Sequence, residues 1–237
     1  MQFHALEHLV RRFQERSRIR LLSKMARDWD ERARKNARHY IATGRDQWSD
    51  EAFFESGRKT VCQDIVTDLE NICQGKSPST MRIIEIGCGA ARLTSALAEM
   101  FGEVHAVDVS GEMVALAQTA LTGKTNAYVY QNNGCDLSTV PALEFDFAYS
   151  NIVFQHIPSR QVIDSYVKDV YRLLRPGSLF KFQVQGIAGR GRPDDTWHGV
   201  SFSEEQAKDM AERNGFEMRY CWGANTQYFW LWYFKRP

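Results

Sequence analysis

An α/β protein with a mainly parallel sheet and helices on both faces is the fold class this sequence predicts, and three features predict it. Short apolar runs at 83–86, 104–107, 145–149 and 179–184 alternate with stretches of helical spacing. Such runs suit strands buried on both faces. The first run is followed at once by Gly87 and Gly89, where a strand must turn sharply and let backbone approach a ligand. The chain also closes on two strand-like runs, 217–221 and 228–234, with no helix between them. One of that pair is therefore expected to run antiparallel, at a sheet edge.

The elements follow in order. Phe3, Leu6, Val10 and Phe13 fall on one helical face, so the first helix is amphipathic. It needs cover from the main domain or from a second subunit, and a homodimer is one way to supply it. Residues 27–40 are polar but carry Trp29 and Tyr40; Gly44 and Trp48-Ser49-Asp50 read as a connection. A second helix is expected from Asp50 toward Cys73, with the stripe Phe54, Val61, Ile65, Leu69 and Ile72. Residues 74–79, Gln-Gly-Lys-Ser-Pro-Ser, form the best linker in the chain. The division is thus a helical cap over 1–79 and a main domain over 80–237. The cap cannot stand alone, because its stripes need a partner surface.

After strand one, a helix is expected over 90–100, closed by Phe101-Gly102. Strand two, 104–107, ends at Asp108. Ser110 caps the helix Gly111–Ala120, and strand 127–130 leads into Gln131-Asn132-Asn133-Gly134. Strand 145–149 ends in Ser150-Asn151. Ser159 caps a helix over 161–174 that stops at Arg175-Pro176-Gly177, before strand 179–184. Ser203 and Gln206 form a capping box for a helix ending at Asn214-Gly215. In such sheets ligands lie beyond the carboxyl ends of the strands, where strand order reverses. The polar clusters Glu85–Gly89, Asp108, Asn133-Gly134 and Ser150-Asn151 all fall there.

Composition narrows the class. An apolar share of 43% with 25% charged residues suits a soluble globular chain of 237 residues. No apolar run approaches the roughly 18 residues of a membrane span, and no secretory signal pattern opens the chain, so neither membrane nor export is expected. Five scattered cysteines without CxxC spacing point to reduced thiols in a cytoplasm, with no disulfide framework and no zinc. His4, Glu7 and His8 match H-x-x-E-H, but no third ligand accompanies them, and no metal is expected. The net charge of +1 hides a basic arm: eleven Lys or Arg against four acids between Arg11 and Arg38. The plain reading is a solvated helix face; the rival reading is a phosphate-binding surface.

The glycine turn decides what the site can hold. A dinucleotide fingerprint needs G-x-G-x-x-G, and Arg92 occupies the third glycine's place. A P-loop fails as well, since no GK[ST] follows. What remains is Glu85, Gly87, Gly89 and Ala91. An acid two places before the turn would repel a pyrophosphate and suit a cationic ligand. Asp108, about 20 residues on, is placed to accept from ribose hydroxyls. A ribose, no phosphate and a positive charge describe S-adenosylmethionine.

At these residues the chain resembles the class I S-adenosylmethionine-dependent methyltransferases, the broad small-molecule group. The matching stretches are EIGCGAARLT (85–94), AVDVSGEM (106–113), YVYQNNGCDL (128–137), FDFAYSNIVFQHI (145–157), LLRPGSLFKF (173–182) and FSEEQAKDMAERNGFE (202–217), in the family's order. The resemblance implies a three-layer, Rossmann-like, seven-stranded sheet with its last strand antiparallel. It implies that Glu85, Gly87, Cys88 and Gly89 line the methionine part of the cofactor and Asp108 its ribose. Val109 and Met113 would flank the adenine, Asn133 and Gly134 would meet its edge, and Asn151 would stand beside the methyl group. Ala91 departs from the usual third glycine, and Asn133 from a more usual acid; an amide still accepts from an adenine amino group.

Methyl transfer from a sulfonium is a direct displacement, so such a protein mainly aligns the acceptor and excludes water. A base is needed only for an O–H or N–H acceptor, and His156 is the single best candidate. The alternative for His156 is a structural hydrogen bond beside Phe154 and Ile157. Trp29, Tyr40, Phe54 and the 186–198 segment could roof an acceptor pocket suited to a flat or apolar small molecule, or simply join cap to core. Residues 189–192, Gly-Arg-Gly-Arg, look like a loop able to close over substrate. The expected activity is methyl transfer to an O or N atom of a small molecule. The alternatives are methylation of RNA through the basic arm, with nucleic acid otherwise not expected as a partner, and a non-catalytic cofactor-binding subunit.

Overall fold

The computed structural model describes residues 2–192 and 194–236, with side chains from residue 12 onward. Seven strands form one sheet in the order β3 (Ala127–Gln131), β2 (Glu103–Asp108), β1 (Arg82–Ile86), β4 (Phe145–Ser150), β5 (Leu174–Val184), β7 (Phe229–Lys235) and β6 (Phe216–Trp222). The first five are mutually parallel, and β7 runs antiparallel to both of its neighbours. The expected antiparallel strand therefore exists but is enclosed, not at an edge. Its sequence explains the exchange. FWLWYFK has apolar side chains for both faces, with Phe229, Leu231, Tyr233 and Phe234 buried. Strand β6 exposes Glu217, Arg219, Tyr220 and Trp222, and its register shifts between Met218 and Tyr220. Charge and an irregular register blunt an edge against unwanted pairing.

Helices α4 (Thr94–Met100) and α5 (Gly111–Ala120) cover one face of the sheet, and α6 (Arg160–Leu173) and α7 (Glu204–Arg213) cover the other. The face of α4 is completed from before residue 80. There Val61 of α2 (Asp50–Asp64), Ile65, and Ile72 and Cys73 of α3 (Leu69–Cys73) share a buried cluster with Ile83, Phe147, Leu179 and Phe234. Polar ties hold this segment in place. Lys181 Nζ donates to Asp64 O at 2.5 Å and Asp68 Oδ2 at 2.8 Å, and Trp232 Nε1 donates to the same Asp68 oxygen at 2.6 Å.

Several local expectations change. The single helix expected over 50–73 breaks at Ile65, and the buried aromatic is Phe53, not Phe54, which is half-buried. The helix expected from residue 90 begins at Thr94, because Ala91 takes a left-handed φ of 62° and residues 90–93 remain a turn. Strand β5 starts at Leu174 and passes through Arg175-Pro176-Gly177 instead of starting after it.

Helix α1 (Gln2–Ile41) is interrupted at Asn36, whose backbone is extended. Its Oδ1 accepts from His39 N–H at 3.2 Å and its Nδ2 donates to Asp46 O at 2.8 Å. Asn36 thus acts as the cap of a short second helical segment that carries Tyr40 and Ile41. The side chains of Phe3, Leu6 and Val10, and the His4-Glu7-His8 motif, lie outside the described residues. Phe13 is exposed.

The capping box at Ser203 is complete: its side chain accepts from Gln206 N–H, and Gln206 Oε1 accepts from Ser203 N–H at 3.1 Å. Ser203→Ala is expected to cost about 1 kcal/mol and to lower Tm by roughly 2–4 °C for a domain of this size, read by thermal unfolding. An unchanged Tm would show that α7 is held by packing alone.

Candidate functional site

The chain leaves β1 toward β2 on one side and returns to β4 on the other, so strand order reverses between β1 and β4. A crevice opens beyond the carboxyl ends of those strands. It encloses about 890 Å³ of non-protein space, solvent at its mouth included. Glu85, Gly87, Cys88, Gly89, Asp108, Val109, Met113, Asn151 and His156 line it together with Trp29 and Tyr40. Glycine at 87 and 89 is required by geometry. Both have left-handed φ, and a Cβ would meet Val153 at 2.2 Å in the first case and Ile41 at 2.8 Å in the second.

Asp108 closes β2 and is held from both sides. Its Oδ2 accepts from Gly89 N–H and its Oδ1 from Ser110 N–H, each at 2.9 Å. Each oxygen keeps a further lone pair. Burial raises its pKa against those two hydrogen bonds. Ser110 Oγ in turn donates to Asp30 of α1 at 2.6 Å, tying the helix over the crevice to the strand end beneath.

Glu85 is almost fully buried and accepts from Thr94 Oγ1 at 2.6 Å. Burial pushes its pKa up to about 7, and the hydroxyl and the nearby Arg92 guanidinium oppose that only in part. A cation in the crevice would restore its charge. Val109 and Met113, which follow Asp108 in the chain, add apolar walls to the same crevice. A buried acid seeking a cation, a carboxylate aimed at a diol and an apolar slot match the sulfonium end, the ribose and the adenine of S-adenosylmethionine. The residues present fit that group.

Asn133 and Gly134 do not join this wall. Asn133 is exposed, and its amide is spent on its own loop, accepting from Cys135 and Asp136 N–H and donating to Asp136. Gly134 packs behind Val109. The neighbour Asn132 lines the crevice instead, buried, with Nδ2 donating to Tyr166 Oη at 2.8 Å. That pairing spans 34 residues and leaves no local trace in the sequence. Met25, Ile41 and Arg92 are further lining residues that periodicity alone does not single out.

At the β4 end, Asn151 Nδ2 donates to Asp64 Oδ2 at 3.0 Å, and Tyr149 Oη donates to the same oxygen at 2.8 Å. The amide nitrogen is thereby fixed toward α2. Ile152 follows with a φ of 56°, strained for a β-branched side chain and held by Gln183 Oε1 on its N–H at 3.0 Å.

His156 is buried, with Nδ1 2.5 Å from Trp197 O. Facing a carbonyl, Nδ1 must carry the proton, and Nε2 then accepts from the Gln155 side-chain amide at 3.3 Å. Burial pushes its pKa down to about 4, so the ring is neutral near pH 7. Trp29 packs edge-on at 5.3 Å and Trp197 tilts at 5.1 Å, while Tyr40 meets Trp197 edge-on at 5.9 Å. Arg32 stacks over Trp29 at 4.6 Å and donates to Thr196 Oγ1 at 3.0 Å, which locks the aromatic group to the 186–198 segment. Phe54, expected at this roof, lies instead beside Phe53 in α2 and is absent from the lining.

The basic arm is partly spent within the fold. Arg18 pairs with Glu15, Lys24 with Asp28, Arg34 with Glu112 and Arg38 with Asp50. Among the described residues no cluster of potential ligands forms a metal site, and no helix is long and apolar enough to cross a membrane.

Residues 84–182, from the centre of β1 to within β5, match the family model described as a methyltransferase domain. That stretch is a methyltransferase domain, and the fold around it is that of the class I S-adenosylmethionine-dependent methyltransferases. Among curated relatives, a malonyl-[acyl-carrier protein] O-methyltransferase of Enterobacter lignolyticus is 30% identical over 139 residues, 55% of this chain and 52% of that protein. A ubiquinone biosynthesis O-methyltransferase of Xanthomonas axonopodis pv. citri is 27% identical over 111 residues, 46% of this chain and 45% of that protein. The match thus spans about half the length of these relatives. The methyltransferase fold is shared with a solved S-adenosylmethionine-dependent methyltransferase of Aquifex aeolicus (TM-score 0.56, 17% identity, 80% of this chain and 100% of that one). It is shared too with a magnesium protoporphyrin IX methyltransferase of Synechocystis PCC 6803 with bound S-adenosylhomocysteine (TM-score 0.59, 16% identity, 84% of this chain and 93% of that one).

Proposed function

We propose that this chain transfers a methyl group from S-adenosylmethionine to an oxygen or nitrogen atom of a small molecule, in a crevice roofed by α1. The observation that carries the acceptor class is the aromatic group over the crevice. Trp29 and Tyr40 come from α1, and His156 comes from the segment after β4. Rings at that place suit a flat or apolar acceptor of modest size. The two curated relatives named above methylate oxygen by their names, which supports an oxygen acceptor here.

Each residue then has a task. The cofactor supplies an electrophilic methyl on a sulfonium, and the chain supplies alignment and dryness. Glu85 would hold the cofactor's methionine end and Asp108 its ribose, and Val109, Met113 and Asn132 would enclose its base. With Nδ2 given to Asp64, Asn151 turns its carbonyl oxygen toward the methyl position. His156 Nε2 would give up its long 3.3 Å contact with Gln155 Nε2 to accept the acceptor's O–H or N–H and so orient the attacking lone pair. A neutral ring with a pKa near 4 does this as a hydrogen-bond acceptor more than as a strong base.

The test is an acceptor panel of phenols, carboxylic acids, acyl thioesters and amines, with S-adenosylhomocysteine release and the mass gain of one methyl as readouts. Turnover of one oxygen or nitrogen class supports the reading. No methylated product from chain that binds the cofactor would overturn it. With the acceptor in hand, His156→Phe is expected to lower kcat about tenfold, within the range of a lost positioning contact, and to leave cofactor affinity within about threefold. Phenylalanine fills the space between Trp29 and Trp197, so an equal loss of both quantities would mean that the ring only packs.

A further inference from the structure

Helix α1 changes character along its length. From Leu21 onward one side of it packs on the domain: Met25 is buried in the main core cluster, with Leu21 and Leu22 partly buried against it. From Arg12 to Arg20 every residue is exposed. Steps of three, four and seven residues carry the core-facing side back to Gln14, Glu15 and Arg18. That side is polar there, and Arg18 pairs with Glu15 at 3.2 Å. The apolar side chains of this stretch lie on the side turned away from the domain. Phe13 is 75% exposed and Ile19 53%, and the same spacing sets them among Arg12, Arg16, Arg20 and Arg27, all exposed. Glu15, on the core-facing side, is the only acid between residues 12 and 27. The ion pairs of this stretch use Arg18 and Lys24, which leaves Arg16, Arg20 and Arg27 with no acid among the described residues. A surface helix normally points its apolar side chains at its own domain. Here they point outward, beside cations, and the matching partner is anionic and apolar together.

We propose that this outward face of α1 lies on an anionic lipid surface. The guanidiniums pair with phosphodiester headgroups, which suit their fork geometry, while Phe13 and Ile19 reach the boundary of the acyl chains. A nucleic acid would satisfy the arginines but give Ile19 no apolar surface to bury against. A second copy of the chain on this face would set guanidiniums against guanidiniums. A helix lying in the interface needs no membrane-spanning length. Trp29, over the crevice, follows Ile19 by ten residues of the same helix, about 15 Å of rise, so docking here holds the crevice close to the lipid. Docking of this kind is independent of which molecule is methylated.

Co-sedimentation of the full chain with vesicles of equimolar phosphatidylglycerol and phosphatidylcholine tests this, with phosphatidylcholine vesicles and a double-stranded RNA as comparisons. Wild type is expected to bind the anionic vesicles, to leave the phosphatidylcholine vesicles bare, and to be released by salt. Arg16→Gln combined with Arg20→Gln should weaken binding about thirtyfold, roughly fivefold for each charge near the surface. Phe13→Ser should weaken it about fivefold or more through lost apolar burial. Arg18→Gln, on the core-facing side, should stay within about threefold. Unfolding temperatures should not change, because none of these side chains packs on the domain. No binding of wild type to the anionic vesicles would overturn the assignment. Retention on the RNA alone would overturn it in favour of a nucleic-acid surface. A loss for Arg18→Gln as large per charge as for Arg16 and Arg20, or none for Phe13→Ser, would reduce the effect to net charge and overturn it as well.

Discussion

Asp108→Ala is expected to weaken S-adenosylhomocysteine binding about hundredfold or more, the loss of two hydrogen bonds to a charged group at roughly 1.5–3 kcal/mol each. The geometry favours so large an effect. Gly89 and Ser110 N–H already occupy one lone pair on each carboxylate oxygen and fix the plane of the group. The remaining lone pairs therefore meet a diol without further ordering. Removing the carboxylate also strands two backbone donors next to the glycine turn. Asp108→Asn separates the two effects. It keeps the volume but points an NH₂ at one of those N–H groups, so the turn is disturbed while one ribose contact survives. The ranking expected by calorimetry is wild type, then Asn, then Ala, with adenosine losing as much as S-adenosylhomocysteine because both carry the ribose. An Asp108→Ala chain that binds S-adenosylhomocysteine within threefold of wild type would remove the sugar from this carboxylate.

Much of this crevice is legible in the sequence because it is local. Glu85, Gly87, Gly89 and Asp108 lie within one strand-turn-helix-strand unit, and each is set by its place at a strand end. The capping residues Ser110, Ser159 and Ser203 are legible for the same reason, since a cap acts over three residues. What escapes is decided at long range. Asn132, not Asn133, faces inward because Tyr166 on α6 takes its amide. Phe53 replaces Phe54 because α2 buries one residue every four, at Phe53, Gly57 and Val61, and a glycine contributes nothing to an apolar count. The break at Ile65 removes the continuous helix that would have set the other phase. The enclosed position of β7 depends on which of two aromatic strands tolerates cover on both sides, a comparison between segments that no single window contains. Arg92 is visible only as a failed glycine until α2 is laid against it.

Glu85 makes cofactor affinity depend on pH, and the sign can be worked out. Its carboxyl titrates near 7 in the folded chain against an ordinary 4.5. Between those values the folded state holds a proton the unfolded state has lost, so stability falls as pH rises through this window. The ionised, buried carboxylate then costs roughly 3 kcal/mol above pH 7. A ligand ammonium reverses the preference, because it stabilises only the ionised form. Binding must then expel the proton wherever Glu85 still holds it. S-adenosylhomocysteine affinity is accordingly expected to be flat above pH 7 and to fall about tenfold per unit below it. Calorimetry in two buffers of different ionisation enthalpy should count close to one proton released at pH 6 and almost none at pH 8. Glu85→Gln keeps the acceptor for Thr94 and removes the charge. That variant should bind about a hundredfold more weakly at pH 8, lose the pH slope and the proton release, and unfold at a higher temperature than wild type at that pH. The combination matters because the two halves have opposite signs: a residue that only packs would lower stability and affinity together. Equal proton counts for wild type and Glu85→Gln at pH 6 would mean that the ammonium is held elsewhere.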